Sequence, residues 1–464
     1  MNNPKLKWIL IIVLAFVLFE SCANDDDDDD FETTISEDVA VISDPTTQLI
    51  LDWNSLWQQV DRYSYGMRPT SSSRALAYIH LAAYETSVFE MVDFSSNEVR
   101  LQNFDINEDQ RPDIMDLNIA LNACYAKVMH HFMYNVSGGF HALFGQFEGE
   151  KESVLSQNVS TEVLEDSREW GYYVAQRVIA YSQTDTEAEQ QIQHPQPLTY
   201  DPPLGAGFWT YSADEERAWF PYWESVRTFV ISSAETSSTP PPIDYDETVN
   251  SAYYNQMNEV LELNNTAKET DNEDLWIAEF WSDDVEGLML SPPGRQFAIA
   301  GQLVSQFDLD YEATLALFLK LGFSLNDAAV SSWADKYEYM VMRPNVYIHE
   351  FIDPEYQTNL YRLVFWPNPS FPSYPSGHST FASAAAGIFI NEFGNTVNFT
   401  DITHEGRTEF RGAPRQFNSF SEMAEENAFS RIPFGVHMRM DCTEGHRLGY
   451  EISDAVNGFN ITSN

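Results

Sequence analysis

Apolar residues recur at helical spacing along most of this chain, and this periodicity restricts the fold more than any other feature. Trp53, Leu56 and Val60 follow one another at intervals of three and four residues, which places them on one face of a helix. The same spacing returns between residues 76 and 83 and again between residues 117 and 128. Alternation of apolar and polar residues, the pattern of a strand, is scarce. The sequence therefore predicts an all-α protein.

A long irregular stretch divides the helical pattern into two halves. Residues 195–242 are rich in Pro, Gly, Trp and Tyr. Three consecutive prolines, Pro240 to Pro242, cannot occupy a helix interior because proline lacks an amide donor. We therefore predict a helical first half over residues 49–240 and a helical second half over residues 248–464. Within the second half, a strongly apolar run is expected to end with Gly322 as a C-cap.

The amino-terminal residues have the pattern of an export signal. Two lysines precede an apolar run from Trp8 to Phe19, which is too short to span a bilayer and is typical of a signal-peptide core. Cys22 follows, and Asp25 to Asp30 form an unbroken acidic run. This order resembles a bacterial lipoprotein signal with a lipidated Cys22, and the acidic run is similar to the surface-export signal of Bacteroidetes lipoproteins. Glu20 departs from the small residue that usually stands two positions before the cysteine.

This signal predicts both the location of the protein and its domain boundaries. We assign residues 1–21 to a lipoprotein signal peptide, residues 22–48 to an acidic flexible tether, and residues 49–464 to one folded all-α domain. A lipidated Cys22 would anchor the exported protein in the outer membrane, at the cell surface. A periplasmic protein and ordinary secretion are the alternatives.

The charge balance excludes several classes of partner. The chain has 25 Lys and Arg residues against 71 Asp and Glu residues, which gives a formal net charge of -46. Nucleic acids and anionic membranes are bound through a basic face, so neither is an expected partner. The three cysteines are too few for a disulfide-rich scaffold.

Three further side chains have ordinary structural interpretations. Cys124 and Cys442 are the cysteines that remain after export, and both a disulfide and two separate buried thiols are consistent with the sequence. His80 lies on an apolar helical stripe, so we expect a hydrogen-bonded histidine in the core.

Two segments of the second half combine cations, imidazole and carboxylate at regular spacing. Lys336 and Arg343 are seven residues apart, so we predict that both cations lie on one helix face. Pro344 disfavours helix at Arg343, so we expect the helix to end near Arg343, with the guanidinium group at its margin. Farther along, Arg431 precedes His437 and Asp441, which are separated by four residues. This spacing lets the carboxylate hold one imidazole nitrogen and leave the other free as a nucleophile or ligand.

A third segment, between these two, has the pattern of a helix N-terminus. Ser376, Gly377 and His378 follow a proline and precede a run of small and apolar residues. The unpaired N–H groups and the positive end of the helix dipole favour an anion at such a position. His378 would present a proton donor to that anion.

Together the three segments read K-x6-R-P, P-S-G-H and S-R-x3-G-x-H-x3-D, in this order. With these motifs the chain resembles the superfamily shared by vanadium-dependent haloperoxidases and type 2 phosphatidic-acid and nonspecific acid phosphatases. The resemblance implies a helical-bundle fold of the haloperoxidase and acid-phosphatase type with long loops. It also implies a site for a tetrahedral oxyanion, with vanadate (vanadium +5) as the cofactor of the haloperoxidases.

The resemblance assigns roles to the motif residues. The implied vanadate-binding residues are Lys336, Arg343, Ser376, Gly377, His378, Arg431 and His437. Among them, His437 would bond the metal at an apical position and Asp441 would orient it. His378 would be the acid–base group on the opposite side, and Lys336 would polarise bound peroxide. Asp284 is the implied carboxylate partner of the third cation, Arg431, with the adjacent Asp283 as an alternative.

Several features favour a haloperoxidase over a phosphatase. A long helical half precedes the motifs, whereas soluble acid phosphatases of this class are about half this length. Trp333 and Phe371 match the aromatic pair beside vanadate in chloroperoxidases, which predicts a halide pocket at these residues. The predicted enzyme oxidises halide with hydrogen peroxide to hypohalous acid. The alternative is an acid phosphatase with His437 as nucleophile and His378 as general acid.

Two finer predictions concern the halide and the assembly. We favour iodide because it is the easiest halide to oxidise, and because the layout also resembles the vanadium iodoperoxidases of marine Bacteroidetes. Haloperoxidases of this family are often oligomeric, so the resemblance also allows a homo-oligomer.

Overall fold

The computed structural model describes residues 42–232, 239–269, 272–364, 366 and 368–463. The predicted signal peptide, the lipidation site Cys22 and residues 22–41 of the predicted tether lie outside the described residues. The described residues therefore neither confirm nor contradict those predictions.

The prediction of an all-α protein is confirmed in the part of the chain that the structure describes. Its α-helices are α1 (Pro45–Asp61), α2 (Thr70–Ser87), α3 (Leu117–Phe132), α4 (Gly138–Leu155), α5 (Thr161–Gln183), α6 (Thr186–Gln193), α7 (Ala252–Ala267), α8 (Glu273–Phe280), α9 (Pro292–Phe307), α10 (Tyr311–Tyr339), α11 (Pro344–Phe351), α12 (Asn359–Val364), α13 (Gly377–Phe393), α14 (Phe420–Phe434) and α15 (Arg439–Asn457). Two short strands, β1 (Phe399–Asp401) and β2 (Arg415–Phe417), pair antiparallel. In the sequence, both strands lie between α13 and α14.

Helix α1 begins before the predicted domain boundary. The Asp44 carboxylate caps the helix by accepting a hydrogen bond from the Thr46 amide at 2.9 Å, and Pro45 occupies the first turn. The same carboxylate accepts a hydrogen bond from the Tyr311 amide at 2.7 Å, at the start of α10. Residues 42–48, which we assigned to the flexible tether, therefore belong to the folded unit.

The predicted helix end at Gly322 is wrong, because α10 continues through this residue as one helix of 29 residues. A Cβ atom at Gly322 would lie 2.9 Å from the Cα atom of Ala77 in α2. The glycine therefore allows two helices to approach closely. The helix instead ends at Tyr339, where Met340 takes a left-handed conformation with φ of 50°.

Helix α10 is long and apolar enough to cross a membrane, but its surroundings identify it as a core helix. Within its most apolar window, 83% of the residues are buried by the rest of the protein. It packs against α2 in the first half and against α13 in the second half. The two helical halves therefore share α10 as a central element.

The irregular stretch between residues 195 and 242 has the predicted character. Its described residues contain one short 3-10 turn, Trp223–Ser225. Asp327 in α10 anchors the stretch by accepting hydrogen bonds from the amides of residues 229, 230 and 231 at 2.8, 2.8 and 3.0 Å. Burial raises the pKa of Asp327 to about 6. A buried carboxylate on the central helix thus fixes a long loop in place.

The predictions for His80 and the cysteines concern the core. His80 is buried, and its ring stacks on Phe297 at 4.6 Å between centroids. Burial lowers its pKa to about 3, so the ring is neutral. Its Nδ1 atom has no hydrogen-bond partner in the described structure, and the ring is held by aromatic packing. Cys124 and Cys442 are both buried free thiols, so the structure has two separate thiols and not the alternative disulfide.

Helices α13 and α15 make the closest helix–helix approach beside the predicted site. A Cβ atom at Gly445 would lie 2.5 Å from the Ser376 carbonyl oxygen, and one at Gly449 would lie 2.3 Å from the Thr380 carbonyl oxygen. Such contacts tolerate no side chain at either position. Since α13 begins at Gly377 and α15 carries Asp441, these glycines determine how close the two parts of the site lie.

We expect Gly449→Ala to destabilise the protein by about 1–3 kcal/mol, because the added methyl group overlaps a backbone carbonyl that cannot rotate away. Urea denaturation measures the free energy of unfolding. Gly149→Ala in α4 is the matched control: it is exposed, no atom lies within 4 Å of the added Cβ, and it should gain about 0.5–1 kcal/mol. Equal stability of Gly449→Ala and wild-type protein would contradict the close packing.

Candidate active site

The three segments predicted to carry the chemistry meet at one cavity of about 230 Å³. The predicted site residues that line this cavity are Asp284, Trp333, Phe371, Gly377, His378, Arg431 and His437. Lys336, Arg343 and Ser376 lie immediately behind its wall, where each contacts a segment that carries a lining residue. The structure therefore brings the predicted site residues into one region.

Lys336 and Arg343 reach this region from different elements, so the prediction that they share a helix face is wrong. The prediction that the helix ends near Arg343 is confirmed, since α10 ends at Tyr339. Lys336 lies on the last turn of α10, whereas Arg343 follows the helix and precedes α11 as its N-cap residue. The Lys336 ammonium group donates hydrogen bonds to the carbonyl oxygens of Pro372 at 3.2 Å, Ser373 at 2.9 Å and Pro375. Lys336 thus fixes the loop that leads into α13.

The Arg343 guanidinium group connects this loop to the segment that carries Val436 and His437. Its Nε atom donates to the Phe371 carbonyl oxygen at 2.9 Å, and its Nη1 atom donates to the Val436 carbonyl oxygen at 2.9 Å. Nη1 also lies 3.1 Å from Nε2 of His437. Burial lowers the pKa of Arg343 to about 9. Its Nη2 atom is buried and has no hydrogen-bond partner among the described residues.

His437 is held by a carboxylate and a hydroxyl group. Its Nδ1 atom lies 3.1 Å from Oδ2 of Asp441, the partner predicted from the spacing. The same oxygen accepts hydrogen bonds from the Ser373 hydroxyl at 2.5 Å and the Met438 amide at 3.1 Å. Burial, together with the charge of Arg343, lowers the pKa of His437 well below its usual value. A neutral ring with its proton on Nδ1 keeps a lone pair on Nε2.

The segment that contains Ser376, Gly377 and His378 is a helix N-terminus, as predicted. Ser376 is the N-cap of α13, and its hydroxyl oxygen accepts a hydrogen bond from the Ser379 amide at 3.4 Å. Its own amide donates to the Asp441 carbonyl oxygen at 2.9 Å, which ties the start of α13 to α15. Gly377 and His378 occupy the first turn and line the cavity. First-turn amides lack helical acceptors and therefore favour an anion.

His378 has a carboxylate neighbour that the sequence analysis did not assign to it. Its Nε2 atom lies 3.2 Å from Oδ1 of Asp283. Burial, together with the charge of Arg431, lowers the pKa of His378, which favours the neutral ring. We considered Asp283 only as an alternative partner of Arg431. The sequence does contain two adjacent aspartates. Such a pair allows one carboxylate to face Arg431 and the other to face His378.

Asp284 and Arg431 interact through charge. Asp284 Oδ2 accepts a hydrogen bond from the Ser282 hydroxyl at 2.9 Å. Burial, reinforced by the charge of Asp283, raises the pKa of Asp284 to about 7. Arg431 is 1% exposed, and its Nε and Nη1 atoms make no hydrogen bond within the described structure. Asp284 exerts the strongest attraction on this guanidinium group, and Asp283 adds to it.

The unpartnered donors fit an oxyanion. Buried polar atoms in native proteins almost always have partners, and here Nε and Nη1 of Arg431 and Nη2 of Arg343 have none in the described structure. A tetrahedral oxyanion supplies several acceptor oxygens to such planar donors. The described residues contain no group of three or more His, Cys, Asp and Glu side chains suited to a bare metal ion. The donor set therefore fits vanadate or phosphate.

The predicted halide-pocket residues are neighbours. The ring centroids of Trp333 and Phe371 are 5.0 Å apart, and both rings line the cavity. The Lys336 ammonium nitrogen lies 5.2 Å from the centre of the Phe371 ring and 5.6 Å from that of Trp333. The Lys336 ammonium group thus lies against the faces of both rings, where a cation is favoured.

Arg68 also lines the cavity, and the sequence analysis missed it. Its Nη1 atom donates to the Asp283 carbonyl oxygen at 2.6 Å, and its Nη2 atom donates to the Asp61 and Met289 carbonyl oxygens at 2.6 and 2.8 Å. This residue lies in the first half of the chain, outside every motif. Its position depends on the packing of the two halves, which the sequence pattern does not specify.

Comparisons with known proteins agree with this geometry. Residues 316–462 match the family model described as the VCPO second helical-bundle domain. The chain is 24% identical to the vanadium chloroperoxidase of Curvularia inaequalis over 85% of this chain and 79% of that protein. The comparisons confirm the predicted resemblance to vanadium-dependent haloperoxidases.

Solved structures share the fold. The crystal structure of the first bacterial vanadium-dependent iodoperoxidase has a TM-score of 0.77 and 23% identity, and the match covers 90% of this chain and 97% of that one. The holo form of a bacterial vanadium-dependent chloroperoxidase has a TM-score of 0.63 and 15% identity, with 85% and 92% coverage. The helical fold implied by the motifs is therefore confirmed.

We expect Asp284→Asn to change how the stability of the protein depends on pH. The Asp284 carboxyl has a pKa of about 7 in the folded protein, above the value of 3.8 for an exposed aspartate. A raised pKa stabilises the fold at low pH, and this contribution is lost as the pH rises towards about 7. Wild-type protein should therefore lose stability relative to the variant between about pH 4 and pH 7.

Urea denaturation across this pH range measures the difference between the two proteins. Asp214→Asn is the matched control, because Asp214 is exposed and lies outside the cavity. A difference between wild type and Asp284→Asn that does not vary with pH would contradict the assignment of a buried, protonated carboxyl group.

Proposed function

We propose that this protein is a vanadate-dependent haloperoxidase, which uses hydrogen peroxide to oxidise halide to hypohalous acid. The observation that carries the proposal is the presence of Arg431 and His437 in one cavity, with Arg343 next to His437 behind the wall. Both guanidinium groups have buried donors that lack partners among the described residues. The resemblance to vanadium haloperoxidases extends over most of the chain and supports this choice over the phosphatase.

The oxyanion would be held by charge and by directed hydrogen bonds. Arg343 and Arg431 have buried guanidinium donors without partners, and the first turn of α13 presents the Gly377 amide. The Nε2 lone pair of His437, which lies 3.1 Å from Nη1 of Arg343, would turn to the oxyanion in exchange for this contact. Lys336 adds positive charge from behind the wall and keeps the loop before α13 in position. Bound vanadate supplies a Lewis-acidic centre that activates peroxide while vanadium stays at +5.

His378 lines the cavity and is suited to move a proton there. Its neutral ring can accept a proton from peroxide as peroxide enters. The Asp283 carboxylate, 3.2 Å from Nε2, would then stabilise the imidazolium ion that forms. Asp441 and Ser373 meanwhile prevent the His437 ring from rotating away from the cavity.

We favour iodide as the halide. Its oxidation is the easiest among the halides, so it makes the least demand on the site. Trp333 and Phe371 line the cavity as an apolar wall beside the Lys336 ammonium group, which suits a large and weakly hydrated anion. The similarity of fold to a bacterial iodoperoxidase, with a TM-score of 0.77, supports this choice.

We also propose that the protein is an exported lipoprotein, anchored in the outer membrane through Cys22. The apolar run, the cysteine and the acidic residues behind it support this location. Cys22→Ser should move the protein from the membrane fraction to the soluble fraction of cells, and unchanged membrane association would contradict lipidation. A homo-oligomer stays a prediction.

Purified vanadate-free protein should form triiodide from iodide and hydrogen peroxide when orthovanadate is added. Without orthovanadate, the rate should fall to background, because the residues of the cavity supply no centre that activates peroxide. The absorbance of triiodide measures the rate, and His437→Ala with added orthovanadate is the matched control, since it lacks the imidazole that would hold vanadate.

The phosphatase alternative makes the opposite prediction in the same experiment. Vanadate-independent hydrolysis of p-nitrophenyl phosphate, without any vanadate-dependent oxidation of iodide, would contradict the proposal. It would assign His437 as the nucleophile and His378 as the general acid.

A further inference from the structure

Two histidine rings lie against each other where α3 ends and α4 begins. His130 belongs to the last turn of α3, and His141 belongs to the first turn of α4. Their ring centroids are 4.5 Å apart, and the ring planes are inclined by 40°. Residues 133–137 connect the two helices. The contact therefore joins two helices of the first half of the chain, and neither histidine belongs to a motif of the oxyanion site.

The two imidazoles have no polar partner within the part of the chain that the structure describes. Neither ring forms a hydrogen bond or an ion pair with those residues, and Nδ1 of His141 is buried without a partner. By contrast, His378 and His437 each have a carboxylate neighbour, at 3.2 and 3.1 Å. A neutral imidazole has one nitrogen that can donate a lone pair. His130 and His141 therefore each keep a lone pair that no described group uses.

The separation of the rings matches that of two imidazoles bound to one metal ion. Imidazole nitrogen binds transition metals such as zinc at about 2.0–2.1 Å. Two rings bound at a right angle or at a tetrahedral angle then have centroids roughly 4.5–5 Å apart. The observed separation is 4.5 Å. Rotation of the two side chains, without movement of either helix, can therefore direct one nitrogen of each ring to a shared ion.

The surroundings of the pair combine an apolar support with open space. Phe144 is fully buried, and its ring centroid lies 6.4 Å from that of His130 and 6.1 Å from that of His141. His130 is exposed and lines a groove of about 650 Å³. The packing against Phe144 holds the rings in place, and the groove leaves room for water molecules that complete the coordination of an ion.

The charge of the protein favours a cation at this position. The formal net charge of -46 raises the concentration of cations near the surface. Glu148 lines the groove together with His130 and adds a carboxylate to it. Lys127 lines the groove as well, but it is exposed, so its ammonium group can extend into water, where its charge is screened.

We propose that His130 and His141 form a binding site for one divalent transition-metal ion, completed by water. Imidazole suits Cu²⁺, Ni²⁺ and Zn²⁺, and Cu²⁺ should bind most tightly because it stands highest in the general order of affinity. A site with two protein ligands agrees with the finding that no group of three or more metal-binding side chains occurs among the described residues. Neither histidine lines the active-site cavity, so the site is independent of the proposed function.

A bound ion would link the end of α3 to the start of α4. A ligand that binds the folded state and not the unfolded state stabilises the fold. Excess Ni²⁺ should therefore raise the midpoint of thermal unfolding of the wild-type protein. The midpoint of His141→Phe should not change on addition of Ni²⁺, because this variant keeps an aromatic ring against His130 and Phe144 but lacks the nitrogen ligand.

A titration measures binding directly. Cu²⁺ is titrated calorimetrically into the full chain without vanadate. His130→Gln and His141→Phe should each weaken binding by about tenfold or more, because one of two protein ligands is lost. His194→Gln is the matched control and should leave binding unchanged, since His194 is exposed and contacts no other histidine.

Electron paramagnetic resonance of the bound Cu²⁺ identifies its ligands. The wild-type spectrum should show hyperfine splitting from two nitrogen ligands, and the spectra of His130→Gln and His141→Phe should show at most one. Cu²⁺ held by the carboxylates of the acidic run Asp25 to Asp30 would have oxygen ligands and no such splitting. The spectrum therefore separates the histidine site from weak binding elsewhere.

Three outcomes would overturn the proposal. The first is Cu²⁺ binding of equal affinity in wild type, His130→Gln and His141→Phe. The second is a wild-type spectrum without two nitrogen ligands. The third is a loss of binding in His131→Gln as large as that in His141→Phe, which would move the site into the groove. Vanadate-dependent triiodide formation should be the same in wild type and both variants of the pair, so the proposed function can succeed or fail separately.

Discussion

The structure depends on the burial of three cations around one small cavity. Lys336, Arg343 and Arg431 are at most 1% exposed, and charges of like sign in the interior repel one another strongly. Burial and this repulsion lower the pKa of Lys336 and of Arg343. Backbone carbonyl groups accept hydrogen bonds from Lys336 and Arg343, whereas Nη2 of Arg343 and Nε and Nη1 of Arg431 have no partner among the described residues. An oxyanion completes this arrangement, because it supplies both the missing charge and the missing acceptors.

The fold serves this arrangement by holding distant segments at short range. The loop before α13 is bound by the Lys336 ammonium group, and the start of α13 is tied to α15 through the Ser376 amide. Gly445 and Gly449 let α13 and α15 pack without intervening side chains. The first half contributes Arg68, which supports the backbone of Asp283. The site therefore needs both helical halves, although the motifs all lie in the second.

Much of the fold and of the site could be predicted from the sequence, because periodicity and motif spacing are local signals. The role of Gly322 in helix packing and the place of Arg343 outside α10 could not be predicted in this way. Gly322 is required because α2 packs closely against α10 at this point. Arg343 lies outside α10 because Met340 takes a left-handed conformation and ends the helix. The contact between Asp283 and His378 joins residues far apart in the chain. Such tertiary contacts depend on packing, which no local pattern specifies.

A crystal structure of the protein soaked with orthovanadate tests the central claim most directly. The account predicts vanadate in the cavity, bonded to Nε2 of His437, with its oxygens accepting hydrogen bonds from Arg343 and Arg431 and from the amide at the start of α13. Vanadate bound elsewhere, or bound in the cavity without contact to His437 and the two guanidinium groups, would contradict it.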